Sequence, residues 1–96
     1  MRSNGSKKRA ARRVAAPAGV LGEAIRARRR ALGLGQIELC DLAGVGPAFL
    51  YQLEHGKSTV RLDKLLAVLH VLGLELHARP GHGGLVVDAS VDGDES

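Results

Sequence analysis

Apolar positions recur in a helical rhythm through the middle of the chain, and glycines punctuate it. Residues 21–32, 36–43, 47–55 and 62–72 carry apolar side chains three and four apart, and Gly33, Gly44, Gly56 and Gly73 follow them. A glycine just past a periodic run is where a left-handed C-cap is expected, so the pattern predicts four helices. The short connections suit a compact bundle. After Gly73 the period drops to two: Leu74, Leu76 and Ala78 alternate with Glu75, His77 and Arg79, a strand signature. Residues 80–84 break that pattern, and residues 85–87 are a second β-prone run. A lone edge strand is unstable, so residues 74–79 are expected to pair with residues 85–87 or with the same strand of a second copy.

The faces of the helices follow from an advance of about 100° per residue. In the third segment Phe49, Leu50 and Leu53 share one arc, with Glu54 at its border. Pro47, Ala48, Tyr51, Gln52 and His55 share the opposite arc, which carries no acid, and Lys57 follows directly. Such a helix suits a DNA groove, and Tyr51 is an aromatic residue on an arc that does not need one. In the fourth segment the apolar residues spread over about 220°, roughly twice the stripe that a surface helix needs. Half of that arc is expected to face the domain's own core and the rest a second copy of the chain. This places Val68, Val71, Leu72, Leu74 and Leu76 in a dimer interface.

Charge sharpens the division of the chain. The net charge of +4 over 96 residues resolves into +6 on residues 1–20, +2 on residues 21–79 and −4 on residues 80–96. The reading is a flexible basic arm over residues 1–20, a folded domain over 21–80 and an acidic, mostly flexible tail over 81–96. A basic arm beside a small folded domain suits a polyanion such as nucleic acid. A domain this small has a marginal core of its own, which again favours a partner chain. No run approaches the roughly 18–20 apolar residues of a membrane span. The basic start followed by residues 14–22 only superficially resembles a signal peptide, because that run is Ala, Gly and Pro and ends at Glu23. A cytoplasmic location is expected, with no membrane partner.

The second and third segments, joined by Gly44, Val45 and Gly46, have the length and turn of a DNA-binding helix-turn-helix. The string from Gly33 through Gln36 to Cys40, then Gly44-Val45, Leu50 and Leu53-Glu54-His55-Gly56-Lys57, resembles the Xre/Cro family of bacterial and phage regulators. The stretch from Gly56 to Leu66, followed by Leu72-Gly73-Leu74-Glu75-Leu76, is similar to the HipB-like antitoxins of type II toxin–antitoxin systems. The resemblance implies an all-α, four- to five-helix, lambda-repressor-like domain with a short C-terminal β-strand. It also implies a homodimer on double-stranded operator DNA, a transcriptional repressor, and a HipA-like kinase toxin as partner.

The family's site residues carry over as follows. Gln36 and Lys57 take phosphate-side positions, and Pro47, Ala48 and Gln52 face base edges; Tyr51 lies between these on the computed arc, and Ser58 is counted with the DNA-binding residues. Gln52 suits adenine and Ala48 a thymine methyl. Glu54 matches a glutamate that pairs with an arginine of the first helix; the alignment makes that Arg29, whereas the helical wheel puts Arg28 nearer the apolar arc. Two departures weaken base reading. Gly35 and Gly46 stand where the family usually has Thr, Ser or Asn, and Pro47 has no N–H to offer DNA.

Other chemistry is not expected. Cys40 reads as a packed thiol. His55, His70, His77 and His82 fit no common metal spacing, so no metal and no cofactor are expected. No Ser/His/Asp set, phosphate loop or carboxylate pair points to an enzyme. The rival readings are a free-standing or phage-type repressor, a protein-interaction adaptor built on a helix-turn-helix, and an RNA binder. The scarcity of aromatic residues for base stacking counts against the last.

Overall fold

A computed structural model describes residues 12–13 and 17–92. Its helices are α1 (Pro17–Ala31), α2 (Gln36–Ala43), α3 (Pro47–Glu54) and α4 (Leu62–Leu72). Two short strands, β1 (Arg12–Arg13) and β2 (Val86–Val87), pair antiparallel, and a 3₁₀ turn covers Ala89–Asp92. The architecture is the expected one, mostly helical with a minor β element. Among the described residues no helix is long and apolar enough to cross a membrane.

The four helices close around one core. Ile25 of α1, Leu39 and Cys40 of α2, Leu50 and Leu53 of α3, and Leu65, Val68, Leu69 and Leu72 of α4 form a single buried cluster. Helix α4 ends because Gly73 adopts φ 70°, where a Cβ would be strained, and its N–H bonds back to the His70 carbonyl. Helices α1 and α3 touch backbone to side-chain-free backbone at Gly22. A Cβ there would overlap the Leu53 carbonyl oxygen and come within 2.8 Å of that of Glu54.

Three expectations are corrected by the fold. First, Val68 and Leu72 do not belong to a dimer interface: they are 0% and 1% exposed inside the chain's own core. The core takes the middle of the wide apolar arc and leaves its two margins, with Leu62 and Leu66 exposed on one and Val71 half-buried on the other. Second, residues 74–79 form no strand within the chain, and residues 85–87 do not pair with them. Val87 instead pairs with Arg12 and Val86 with Arg13. Third, ordered structure extends into both expected tails. Helix α1 starts at Pro17 rather than at residue 21, since proline is pre-shaped for a first helical position. Val87 is buried against Val20 and Ala24, with Leu85 and Val91 beside them, so the tail supplies a small second cluster. The remaining residues assigned to the arm and tail, 1–11, 14–16 and 93–96, lie outside the described residues.

The Gly22 contact yields a direct test. Gly22→Ala forces α1 and α3 apart and is expected to lower unfolding free energy by about 1–3 kcal/mol, the range for overpacking a tight contact. Urea denaturation of the two proteins measures it, and an unchanged midpoint would contradict the close approach.

Candidate nucleic-acid interface

Helices α2 and α3 are set by backbone features rather than by side-chain caps. Gly35 and Gly46 occupy the two N-cap positions with extended backbone and no capping side chain. At α2 the Glu38 carboxylate reaches back to the Gly35 N–H (3.4 Å), the half of a capping box that a glycine permits. Pro47 starts α3, where a missing N–H costs nothing to the helix. Gly44, at φ 72°, turns the chain between them.

A buried ion pair locks α3 onto the rest. Arg29 donates from Nε to Glu54 Oε2 (2.7 Å) and from Nη2 to Oε1 (3.1 Å), a two-pronged grip, and from Nη1 to the Leu34 carbonyl (2.9 Å). The Glu54 side chain is fully buried. Gln36 completes the set by donating from Nε2 to Glu54 Oε1 at 3.0 Å. Arg28, the other candidate for this pair, instead donates to the Leu72 carbonyl at 2.8 Å and so caps the end of α4. Gln36 therefore has a structural bond that its sequence position did not reveal. Its second amide hydrogen and its oxygen remain for a ligand.

With Glu54 turned inward, the outer arc of α3 carries Pro47, Ala48, Tyr51 and Gln52, all exposed. Tyr51 is stacked on His55, ring centroids 4.0 Å apart, and His55 Nδ1 lies 2.8 Å from the Tyr51 carbonyl oxygen. Lys57 donates to Gln52 Oε1 at 3.3 Å, which ties a charge to a base-reading candidate. Ser58 is exposed beside them.

Next to this arc is a surface depression whose lining includes Gln52, Lys57, Thr59, Arg61 and Lys64. Three cations on one rim were not apparent from the periodicity, because Arg61 and Lys64 lie at the start of α4 while Gln52 belongs to α3. They are unequal. Arg61 is forked onto Asp63 (3.1 and 2.7 Å), and this hydrogen-bonded pairing holds the Asp63 carboxyl below its ordinary range. Lys64 stands 5.7 Å above the Phe49 ring. Cys40 lies apart from all of this. Burial, then the negative charge of Asp41 and Glu54, pushes its thiol above the ordinary range, so the thiolate is disfavoured. Among the described residues no group of three or more His, Cys, Asp or Glu side chains is placed to hold a metal ion.

Removing one member of the buried pair strands the other. Glu54→Leu alone should cost about 3–5 kcal/mol, whereas Arg29→Met with Glu54→Leu should recover most of the loss. Denaturant unfolding of both variants decides it, and equal losses would mean that the pair is not the source of the cost. A thiol reagent at neutral pH should modify Cys40 no faster than the domain opens; rapid labelling of the folded protein would contradict the raised thiol pKa and its burial.

Comparison with known proteins agrees with this geometry. A helix-turn-helix family model matches residues 25–78, which span the core, both helices of the motif and α4. The chain is 41% identical over 66 residues to an uncharacterized HTH-type transcriptional regulator, y4mF, of Sinorhizobium fredii, covering 69% of this chain and 86% of that one. Among solved structures it is similar to the restriction-modification controller protein C.AhdI of Aeromonas hydrophila. The TM-score is 0.56 at 29% identity, over 60% of this chain and 88% of that one. It is similar also to the clp gene regulator ClgR of Corynebacterium glutamicum, with TM-score 0.57 at 34% identity, over 62% of this chain and 76% of that one. A family match over more than half of the chain, on a fold with the same two-helix motif, makes this protein a member of the Xre-type helix-turn-helix family of DNA-binding transcriptional regulators.

Proposed function

We propose that the chain is a repressor that binds operator DNA as a homodimer, with α3 in the major groove, and that it controls its own operon. The observation that carries this reading is the outer arc of α3: exposed Pro47, Ala48, Tyr51 and Gln52, free of acid, on a helix whose only carboxylate is buried against Arg29. Gln36 at the start of α2 and Lys57 and Ser58 after α3 flank that arc as phosphate contacts. Both helix starts also offer unpaired backbone N–H groups to phosphate, except at Pro47. Gln52 reads a base edge through its amide.

The narrower role, the antitoxin of a HipA-like kinase encoded alongside it, rests on the resemblance of residues 56–76 to that branch. Co-expression with the neighbouring reading frame tests it: a co-purifying kinase-like partner supports the role, and a neighbour that is no toxin and does not co-purify leaves the repressor alone. The protein-interaction adaptor keeps one observation in its favour, the absence of a side-chain cap at either helix of the motif. In both roles the chain acts by binding, without catalysis or cofactor, in the cytoplasm.

How DNA is read separates these roles. Lys57→Ala should weaken binding to operator and scrambled duplex alike and lower the salt-dependence slope by about one per phosphate lost. Gln52→Ala should cost about 1–3 kcal/mol, chiefly on the operator, with the slope nearly unchanged. The two half-sites should lie about 34 Å apart, one helical turn. Equilibrium titrations at several salt concentrations measure all three quantities. Equal losses on both duplexes for Gln52→Ala would remove base reading from α3 and favour the adaptor.

A further inference from the structure

Helix α3, the loop after it and the first turn of α4 form a depression of about 390 Å³. Its walls are of two kinds. Half-buried Phe49 and buried Leu53 come from α3, and Val60, 39% exposed, comes from the loop. The other wall is cationic or hydrogen-bonding: Lys57, Arg61 and Lys64, with Gln52 and Thr59. Among the described residues no carboxylate lines it. Arg61 is forked onto Asp63, so Lys57 and Lys64 are the cations least answered within the chain. Lys57 meets only the neutral Gln52 oxygen, and Lys64 Nζ stands 5.7 Å above the Phe49 ring, which sets a charge directly against the apolar wall.

Two kinds of wall call for a ligand with two ends. A bare backbone phosphate answers the lysines but leaves Phe49 and Val60 uncovered, and a neutral apolar body does the reverse. Apolar lining with a few placed polar groups, in a volume of roughly 300–1,000 Å³, is the character of small-molecule sites. We infer that the depression binds a small organic anion, a carboxylate or phosphate monoester carried on an aromatic or short aliphatic body, and that the bound anion competes with DNA. The anionic group goes to Lys57 and Lys64, and the body covers Phe49 and Val60. The competition rests on the proposed function, because it runs through Gln52 and Lys57, which that reading gives to DNA. An anion held by Lys57 takes a cation from the DNA face, and by linkage DNA weakens the anion by the same factor.

Phenyl phosphate is the probe, with inorganic phosphate and benzyl alcohol as its two halves, each titrated by NMR into the isotope-labelled full chain without DNA. Saturable amide shifts are expected at Thr59, Val60 and Lys64, with a Kd on the order of 1 mM, which suits about eleven non-hydrogen atoms in an open site. Either half should bind at least about fivefold more weakly, and Lys64→Gln and Val60→Ser should each weaken phenyl phosphate about fivefold in chains that circular dichroism shows to be folded. Inorganic phosphate binding as tightly as phenyl phosphate reduces the depression to a phosphate contact and overturns the inference. Benzyl alcohol binding as tightly, no saturable shift at these residues, or indifference to both substitutions overturns it as well. At about five times its Kd, phenyl phosphate should raise the operator Kd about sixfold over a chloride control of equal ionic strength. An unchanged operator Kd overturns the competition. A chain that takes phenyl phosphate at these residues yet binds no operator overturns the repressor reading, and with it the competition, and leaves the anion site standing.

Discussion

The fold depends on one buried charge being answered. Glu54 closes α3 with its carboxylate out of water, and Arg29 of α1 meets it with a two-pronged grip. The Coulombic attraction of such a pair roughly cancels the cost of removing both ions from water, so its net contribution to stability is small. Its value is positional. Arg29 also holds the Leu34 carbonyl before α2, and Glu54 also accepts from Gln36 at the start of α2. Three helices therefore share one hydrogen-bonded centre, and any shift of α3 relative to α1 or α2 leaves a charge unanswered. The exposed outer arc of α3 is aimed by this centre.

The neighbouring arginine does a related task at the other side of the core. Arg28 caps the C-terminal carbonyl of Leu72, whose helix has just been ended by the left-handed Gly73. A positive group at the negative end of a helix is favourable, and here it bridges α1 to α4. Gly22 brings α1 close enough to α3 for the ion pair to form. One helix thus contacts both α3 and α4 through residues that are polar or lack a side chain, while Ile25 supplies its apolar contribution to the main core.

This arrangement partitions the surface. The inward turn of Glu54 clears the only acid from α3, and Lys57, Arg61 and Lys64 gather along the depression beside Gln52. The Asp63 partner of Arg61 offsets part of that positive charge, leaving Lys57 and Lys64 as the stronger counter-charges for an anion. Elsewhere on α4 the chain leaves apolar margins, with Leu62 and Leu66 exposed.

The helices and their ends were legible in the sequence, because 3.6-residue periodicity and glycine C-caps are local properties of the chain. The lengths and turn of the helix-turn-helix were local too, whereas the wheel put Glu54 only at the border of the apolar arc and its arginine partner came from the family resemblance. A wheel gives angles within a helix but not which neighbour covers each angle. For that reason the wide arc of α4 was read with Val68 and Leu72 outward, although the packing of four helices draws the middle of the arc inside. The choice between Arg28 and Arg29 was likewise settled by where Leu72 and Glu54 come to lie, positions far away in the chain. The pairing of Arg12–Arg13 with Val86–Val87 joins the two ends, and no local period encodes it. The sequence alone determined the four helices and where each ends, because those are local properties of the chain. Only the tertiary structure decided which buried polar group meets which partner, because that depends on the approach of segments tens of residues apart.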